Sequence, residues 1–334
     1  MPLKSIRFIA VVASVLALLV VMLGAYTRLT DAGLGCPDWP GCYGHLVLPS
    51  VHNDLVDAQR HYPLIPIESR KAWTEMAHRY AAGTLGLLIL VMGVSVWRLR
   101  QRGHSLPWVL PLTLILLVVF QAALGMWTVT LKLLPVVVMG HLLGGMLIFA
   151  ILCYFCMQLM STHGENRPRW RCWIGLGMVI VFCQIALGGW VSSNYAGIAC
   201  IGFPRCNGVW FPVLHFMKGF NLFSPVGANY QGGILDSDVR ITIQFIHRIG
   251  AIVAAMYVLI LSAFLLHSVK EKYLRRTAVL AITLVVIQFA LGVANVVYFL
   301  PLVVAVLHNG VAALLLATMF KMRYLATGDT AYAR

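Results

Sequence analysis

Apolar residues fall along this chain in unbroken runs, each about long enough for one bilayer crossing, rather than in alternation with polar ones. A helix rising 1.5 Å per residue needs about 20 such residues to cross the hydrocarbon core. Windows that meet this lie near 6–26, 74–98, 107–129, 135–160, 172–193, 240–267, 276–297 and 302–324, which predicts eight spanning helices. Continuous runs without a period of two exclude a transmembrane β-barrel. The first run follows Lys4 and Arg7 as a signal peptide would. It is longer than an apolar signal region of about 7–15 residues and has a counterpart later in the chain, so we expect it to be retained as the first helix.

Composition agrees with the pattern: 334 residues, 60% hydrophobic and 11% charged, with a mean hydropathy of +0.85. The expected class is an all-α integral membrane protein. The net charge of +14 would raise the question of nucleic acid in a soluble chain. Here the basic residues lie mostly between apolar runs, where they set topology, and no nucleic-acid partner is expected. With both termini on one side, that side carries 15 of the 25 basic residues against only Glu165, Glu271 and Asp329. The positive-inside rule makes it cytoplasmic. Without an Arg- and Ser-rich transit sequence, the expected location is a bacterial cytoplasmic (inner) membrane.

Two loops on the outer side are long, roughly 27–73 and 194–239, and the sequence around them repeats. Gly24 recurs as Gly188, and Gly33, Cys36, Pro40, Cys42 and Gly44 recur as Gly197, Cys200, Pro204, Cys206 and Gly208, all 164 residues on. His78-Arg79 recurs as His247-Arg248, while Gln121, Gly125 and His141 recur 167 residues on as Gln288, Gly292 and His308. The expected architecture is two tandem, pseudo-symmetric four-helix bundles, 1–165 and 166–334, related by an axis along the membrane normal.

Four histidines stand inside the predicted helices in repeat register: His78, His141, His247 and His308. Facing imidazoles on neighbouring helices can hold the iron of a flat macrocycle from both sides. Gly83 near His78, and Gly140, Gly144 and Gly145 near His141, would leave room for a ring. Core histidines hydrogen-bonded across helices are the plainer alternative, and zinc is a weaker one because no further ligand repeats beside them. Arg79 and Arg248 either neutralise acidic groups of such a ring or reach the headgroups. Glu75, three residues before His78, shares its helix face. Gln244 stands in the matching place, so only the first repeat has a titratable carboxylate there. A partly buried carboxylate beside a cofactor suits general acid–base work; the alternative is a helix N-terminal Glu stabilised by the macrodipole.

Cys36 with Cys42 and Cys200 with Cys206 share one spacing in outer loops, which reads as two disulfides, structural braces more readily than redox partners. The segment from Trp210 to Phe223 is rich in aromatic residues, as interfacial segments are.

At these residues the chain resembles the haem A synthase family, membrane enzymes that convert haem O to haem A for cytochrome oxidases. The resemblance covers nearly the whole chain. It is specific in Thr27-Arg28-Leu29-Thr30, in Gly33-Leu34-Gly35-Cys36-Pro37-Asp38-Trp39-Pro40, in Glu75-x-x-His78-Arg79 and in Tyr230-Gln231-Gly232-Gly233, His247-Arg248 and the later histidines. It implies haem b held by His247 and His308, haem O received between His78 and His141, and Glu75 implicated in oxidation of a porphyrin methyl group through an alcohol to a formyl group. Candidate partners are haem O and haem A, haem O synthase, cytochrome oxidase assembly factors, membrane lipid and a second copy of the chain. Two departures stand out: Cys200-Ile201-Gly202-Phe203-Pro204 lacks the Asp-Trp-Pro wording of the first loop, and Ser192 replaces the Arg expected opposite Arg28. Two alternatives remain open at this point: a b-type membrane cytochrome passing electrons from quinol, and a haem carrier or chaperone.

Overall fold

A computed structural model describes residues 3–48, 52–63, 66–160 and 166–328. Glu165, Asp329 and Arg334 from the charge count lie outside the described residues, and the expected boundary between 165 and 166 borders them. The elements are α1 (Leu3–Leu29), α2 (His52–His61), α3 (Ser69–Gln101), α4 (Val109–Thr130), α5 (Pro135–Leu159), α6 (Pro168–Ser193), α7 (Phe216–Gly219), α8 (Ser237–Ser268), α9 (Lys272–Val297) and α10 (Leu302–Thr327). Among the described residues there is no strand. All of these helices except α2 and α7 are long and apolar enough to cross a membrane, eight in all among the described residues. Local sequence marks their ends. Pro135 and Pro168 open α5 and α6, where a missing N–H has no helical partner to lose. The carboxylate of Glu271 caps α9 by accepting from the N–H groups of Tyr273 and Leu274. Large apolar side chains such as Phe8, Leu87, Leu116 and Phe264 stay exposed on the outside of the bundle, the face a helix turns to lipid.

Helix contacts recur between the two halves. α3 and α5 each pack against α1 and α4, and α8 and α10 each pack against α6 and α9. Neither α3 and α5 nor α8 and α10 pack backbone to backbone; they stand diagonally across their four-helix groups. The halves join through α1 with α10, α5 with α6, and α5 with α10.

Three contacts between the halves link residues that occupy matching repeat positions. Arg28 Nη2 donates to the Ser192 carbonyl at 2.6 Å, and Tyr195 Oη donates to Asp31 Oδ1 at 2.9 Å, both pairs 164 residues apart. At the opposite end of the bundle Tyr324 Oη donates to the Met157 carbonyl at 3.5 Å, 167 residues apart. A residue that touches its own counterpart must lie beside whatever axis relates the copies. These contacts are therefore consistent with an axis running along the bundle. The Ser192 departure takes on a physical meaning here. Arg28 crosses that line to a backbone carbonyl, and its guanidinium also stacks 3.9 Å above the Tyr195 ring. A second arginine at position 192 would put two like charges where one now serves.

The cysteine loops also match. Disulfides join Cys36 to Cys42 and Cys200 to Cys206, and isolated bridges pair Cys42 with His45 and Cys206 with Val209. Trp39-Pro40 and Phe203-Pro204 are both cis. Tyr43 and Asn207, each followed by a glycine of positive φ, both take left-handed backbone. The side chains that tie the loops differ. In the first, Asp38 accepts from the backbone N–H of Tyr43 at 2.6 Å and of Gly44 at 2.9 Å. Gly202 stands at that place in the second, and Asn207 takes over from the other side of the turn. It accepts from Ile201 N at 2.8 Å and donates to the Ala199 carbonyl at 3.1 Å. The missing Asp-Trp-Pro wording therefore does not prevent the same loop shape.

Candidate functional site

His78 projects from α3 and His141 from α5, two diagonal helices that meet through these side chains. Their ring centres are 6.3 Å apart with planes at 78°. α3 and α8 begin earlier than hydropathy predicts, at Ser69 and Ser237, because their first turns are polar and pack on the loops. His78 and His247 therefore lie further along their helices than His141 and His308 do.

Each of the four rings rests on a glycine of a neighbouring helix. A Cβ at Gly24 of α1 would lie 3.0 Å from His78 Cε1, and one at Gly188 of α6 would lie 3.1 Å from His247 Cε1. For Gly125 of α4 and Gly292 of α9 the matching distances are 3.4 Å to His141 and 3.2 Å to His308. The sequence pairs these glycines as repeats without indicating that they seat the histidines. Of the glycines expected to leave room for a ring, Gly83 has nothing near its missing side chain and Gly140 has only Leu124 at 4.0 Å. Gly144 serves another purpose: the Gln121 amide fills its place and donates to the His141 carbonyl at 2.8 Å.

Polar partners divide the rings. The Nδ1 atoms of His78, His141 and His308 are buried without a partner. His247 Nδ1 lies 3.0 Å from Gln184 Nε2, which also donates to the His247 carbonyl at 3.0 Å. Gln288 Nε2 is 3.1 Å from His308 Nε2. Gln184 was not singled out by sequence reasoning. The available signal was a lone amide in the apolar run of α6, one turn before Gly188, where the first repeat has Val20. Among the described residues no group of three or more His, Cys, Asp or Glu side chains gathers as a metal cage, so the histidines stand as pairs.

Glu75 is buried, 5% exposed. It does not bond to His78. Its Oε1 pairs with Arg79 Nη2 at 2.5 Å and its Oε2 accepts from the backbone N–H of Cys36 at 2.9 Å. Arg79 in turn donates to the carbonyls of Pro40 and Gly41. The carboxylate, the arginine and the first disulfide loop thus form one connected network above the His78–His141 pair. Gln244 is equally buried, 4% exposed, but its Oε1 has no partner. Arg248, lacking a carboxylate, donates to the carbonyls of Cys200, Gly202 and Arg205. The two arginines are placed alike, as loop braces, and the carboxylate is what distinguishes the first set. In the aromatic segment, Phe211, Met217 and Phe223 are exposed, while Trp190 Nε1 fixes the segment by donating to the Gly219 carbonyl at 2.7 Å.

Fold and site together define a multi-pass helical membrane protein with two half-buried histidine pairs, one of them near a buried carboxylate. Residues 7–320 match the COX15-CtaA family model, described as cytochrome oxidase assembly protein, and the chain belongs to this family. Among its relatives, the heme A synthase of Shewanella oneidensis is 45% identical over 317 residues, 93% of each chain. The heme A synthase of Caulobacter vibrioides is 29% identical over 329 residues, 92% of this chain and 91% of the relative. That of Rhizorhabdus wittichii is 27% identical over 331 residues, 92% and 89% of the two chains.

Proposed function

We propose that this chain is an oxidoreductase that makes haem A, oxidising a CH group: one porphyrin methyl of bound haem O becomes the alcohol and then the formyl group, a net gain of one water and loss of four protons and four electrons, the electrons passing to an external oxidant. The observation that carries the reading is the facing of His78 and His141 across the interior of a four-helix group, beside a buried carboxylate absent from the other pair. Membership of the family and the 45% identity to a heme A synthase support it. In this reading 1–165 form the substrate unit and 166–334 hold haem b.

The spacing of His78 and His141 would suit a metal held between two imidazoles. Metal–imidazole bonds of about 2 Å, with each ring centre about 1 Å beyond its nitrogen, put the imidazole centres roughly 6 Å apart. The 6.3 Å between His78 and His141 meets that requirement. For haem b the donor set is His247 and His308, each seated on a glycine and carried on diagonal helices. Haem b, when bound, supplies one-electron redox chemistry.

The chain's own residues do the rest. His78 and His141 hold the substrate ring and fix its edge relative to the helices. Glu75 takes up protons released as the methyl carbon is oxidised, acting at the end of α3 that carries the disulfide loop. Arg79 holds the carboxylate in place and, with Arg248, ties each loop over its pair. The two disulfides brace these covers. The positive-inside distribution supports a bacterial cytoplasmic membrane with both termini in the cytoplasm. Haem O synthase and oxidase assembly factors are the natural neighbours on either side of the reaction.

The test is haem extraction and chromatography from wild type and Glu75→Ala, each expressed with a supply of haem O. Haem A or its alcohol precursor in the wild type, with haem O retained and haem A absent in the variant, is the expected result. Two haem b rings and no conversion in either preparation would overturn the reading in favour of an electron carrier.

A further inference from the structure

We propose that the segment from Trp210 to Phe223 is seated in the headgroup layer of the bilayer on the side of the disulfide loops, with lipid rather than a protein as its partner. Its apolar side chains are turned outward: Phe211 is 84% exposed, Met217 90% and Phe223 92%, with Val213 close behind. An exposed apolar patch of this kind marks an interaction surface. Between Arg205 and Asp236 the only formal charge is Lys218. The corresponding part of the first loop is unlike it. There α2 carries Asp57 and Arg60, both exposed, and an exposed Glu68 follows, as suits a surface that stays in water.

The contact with α8 sets the depth of the segment. Phe211 meets Phe245 edge to face, with ring centres 6.4 Å apart. Phe245 heads the helix row of Ile249, Val253, Met256 and Ile260, four exposed apolar side chains on the lipid face of α8. The segment therefore continues a surface that already meets lipid. α8 has 32 residues, whereas about 20 suffice to cross the hydrocarbon core. Counting about 20 residues back from Ser268 brings the far edge of the core close to Arg248. Phe245 then stands about 4.5 Å beyond it, within a headgroup layer about 5–7 Å deep. Polar groups of the segment are tied inward, as such a place requires. His215 N donates to Thr242 Oγ1 at 2.9 Å, and the Gly219 carbonyl accepts from Trp190 Nε1 at 2.7 Å. Gly219 lies close on α8, where a Cβ would be 3.5 Å from Ile243 Cγ1. Backbone held to the protein and apolar side chains turned away from it make an interfacial element.

Spin labels on the full-length chain in phospholipid nanodiscs test this. Cys153, Cys156, Cys172 and Cys183 are replaced by alanine and both disulfides are kept. Single labelling sites are then added by Met217→Cys, Phe223→Cys, Gln59→Cys on the exposed face of α2 and Val253→Cys on the lipid face of α8. Each label is exposed to oxygen, which concentrates in lipid, and to a water-soluble nickel chelate. The ratio of oxygen to nickel collisions at Met217 and Phe223 should exceed that at Gln59 several-fold and stay below that at Val253. A ratio at either position no higher than at Gln59 would overturn the proposal by placing the segment in water. Few collisions with either reagent would overturn it as well, because the segment would then be covered by protein, whether a second copy or another chain. If Phe223→Cys does not accumulate, the label at Met217 decides by the same criteria.

Discussion

Glu75 of α3 and Gln244 of α8 occupy matching places at the loop-bearing ends of their helices, and each is almost wholly buried. The carboxylate has a full set of partners, Arg79 and the Cys36 N–H, whereas the Gln244 carbonyl oxygen has none. Yet the loop above Gln244 is tied down as well: Arg248 alone holds three of its carbonyls, and a disulfide closes it at the matching place. Bracing the loop therefore does not require a carboxylate. Glu75 is paired with Arg79 and Cys36, and the second loop shows that its carboxylate is not required for the shape of the loop. The proton handling proposed for Glu75 would be a use of that carboxylate beyond the loop.

The comparison would break first at the carboxylate itself. Glu75→Gln, which makes the first repeat read like the second, should leave haem O bound and lower the rate of haem A formation by about 10²–10⁴-fold. Gln244→Glu should leave that rate unchanged. Single-turnover assays followed by haem chromatography measure both. Equal losses from the two substitutions would show that the difference between the ends carries no chemistry.

The arginines sharpen the comparison at the next level. Arg79→Leu strands a buried carboxylate and should cost about 3–5 kcal/mol, while Arg248→Leu leaves only carbonyls unpaired and should cost about 1–3 kcal/mol. Adding Glu75→Gln to Arg79→Leu should recover much of the larger loss. Thermal unfolding of the detergent-solubilised protein ranks the three.

The glycine seats are graded in the same way. Gly24→Ala places a Cβ 3.0 Å from the His78 ring, and Gly125→Ala places one 3.4 Å from His141. The first lies in the range where the ring must move, and the second is ordinary contact. Gly24→Ala should therefore displace His78, lowering haem O retention and costing about 1–3 kcal/mol, with Gly125→Ala closer to wild type. Haem content per protein, read from absorbance, checks the order.

What the sequence disclosed and what it hid divide along a physical line. Apolar run length located all eight spans, because bilayer thickness acts on every residue of a run. Repeat register brought out the four histidines, the cysteine pairs and the Glu75–Gln244 difference. Partners across helices were not legible: that Glu75 would turn to Arg79 and Cys36 rather than lie toward His78, that Gln184 would meet His247, or that Gly24 and Gly125 would seat rings from other helices. Those contacts depend on helix rotation, which hydropathy in a membrane hardly constrains. The second loop showed the opposite error. Its missing Asp was visible in sequence, but the compensating Asn207 only becomes apparent once the turn is folded.

The smallest effect tests the contact between the halves. Tyr195→Phe removes the hydroxyl that donates to Asp31 and meets the backbone of Gly232, and keeps the ring under Arg28. It should cost about 1 kcal/mol and change haem content little. Burial raises the Tyr195 phenol above its ordinary range, Arg28 pulling the other way. A raised value means that the folded state holds this proton more tightly than the unfolded chain does. The contribution is therefore complete below the ordinary tyrosine pKa of about 10 and is lost as pH rises through the folded value. Wild type and Tyr195→Phe should differ by a constant amount through neutral pH and converge only in strong alkali. Thermal unfolding against pH measures this. A gap that closed near neutrality would show that the linkage does not come from the Tyr195 phenol.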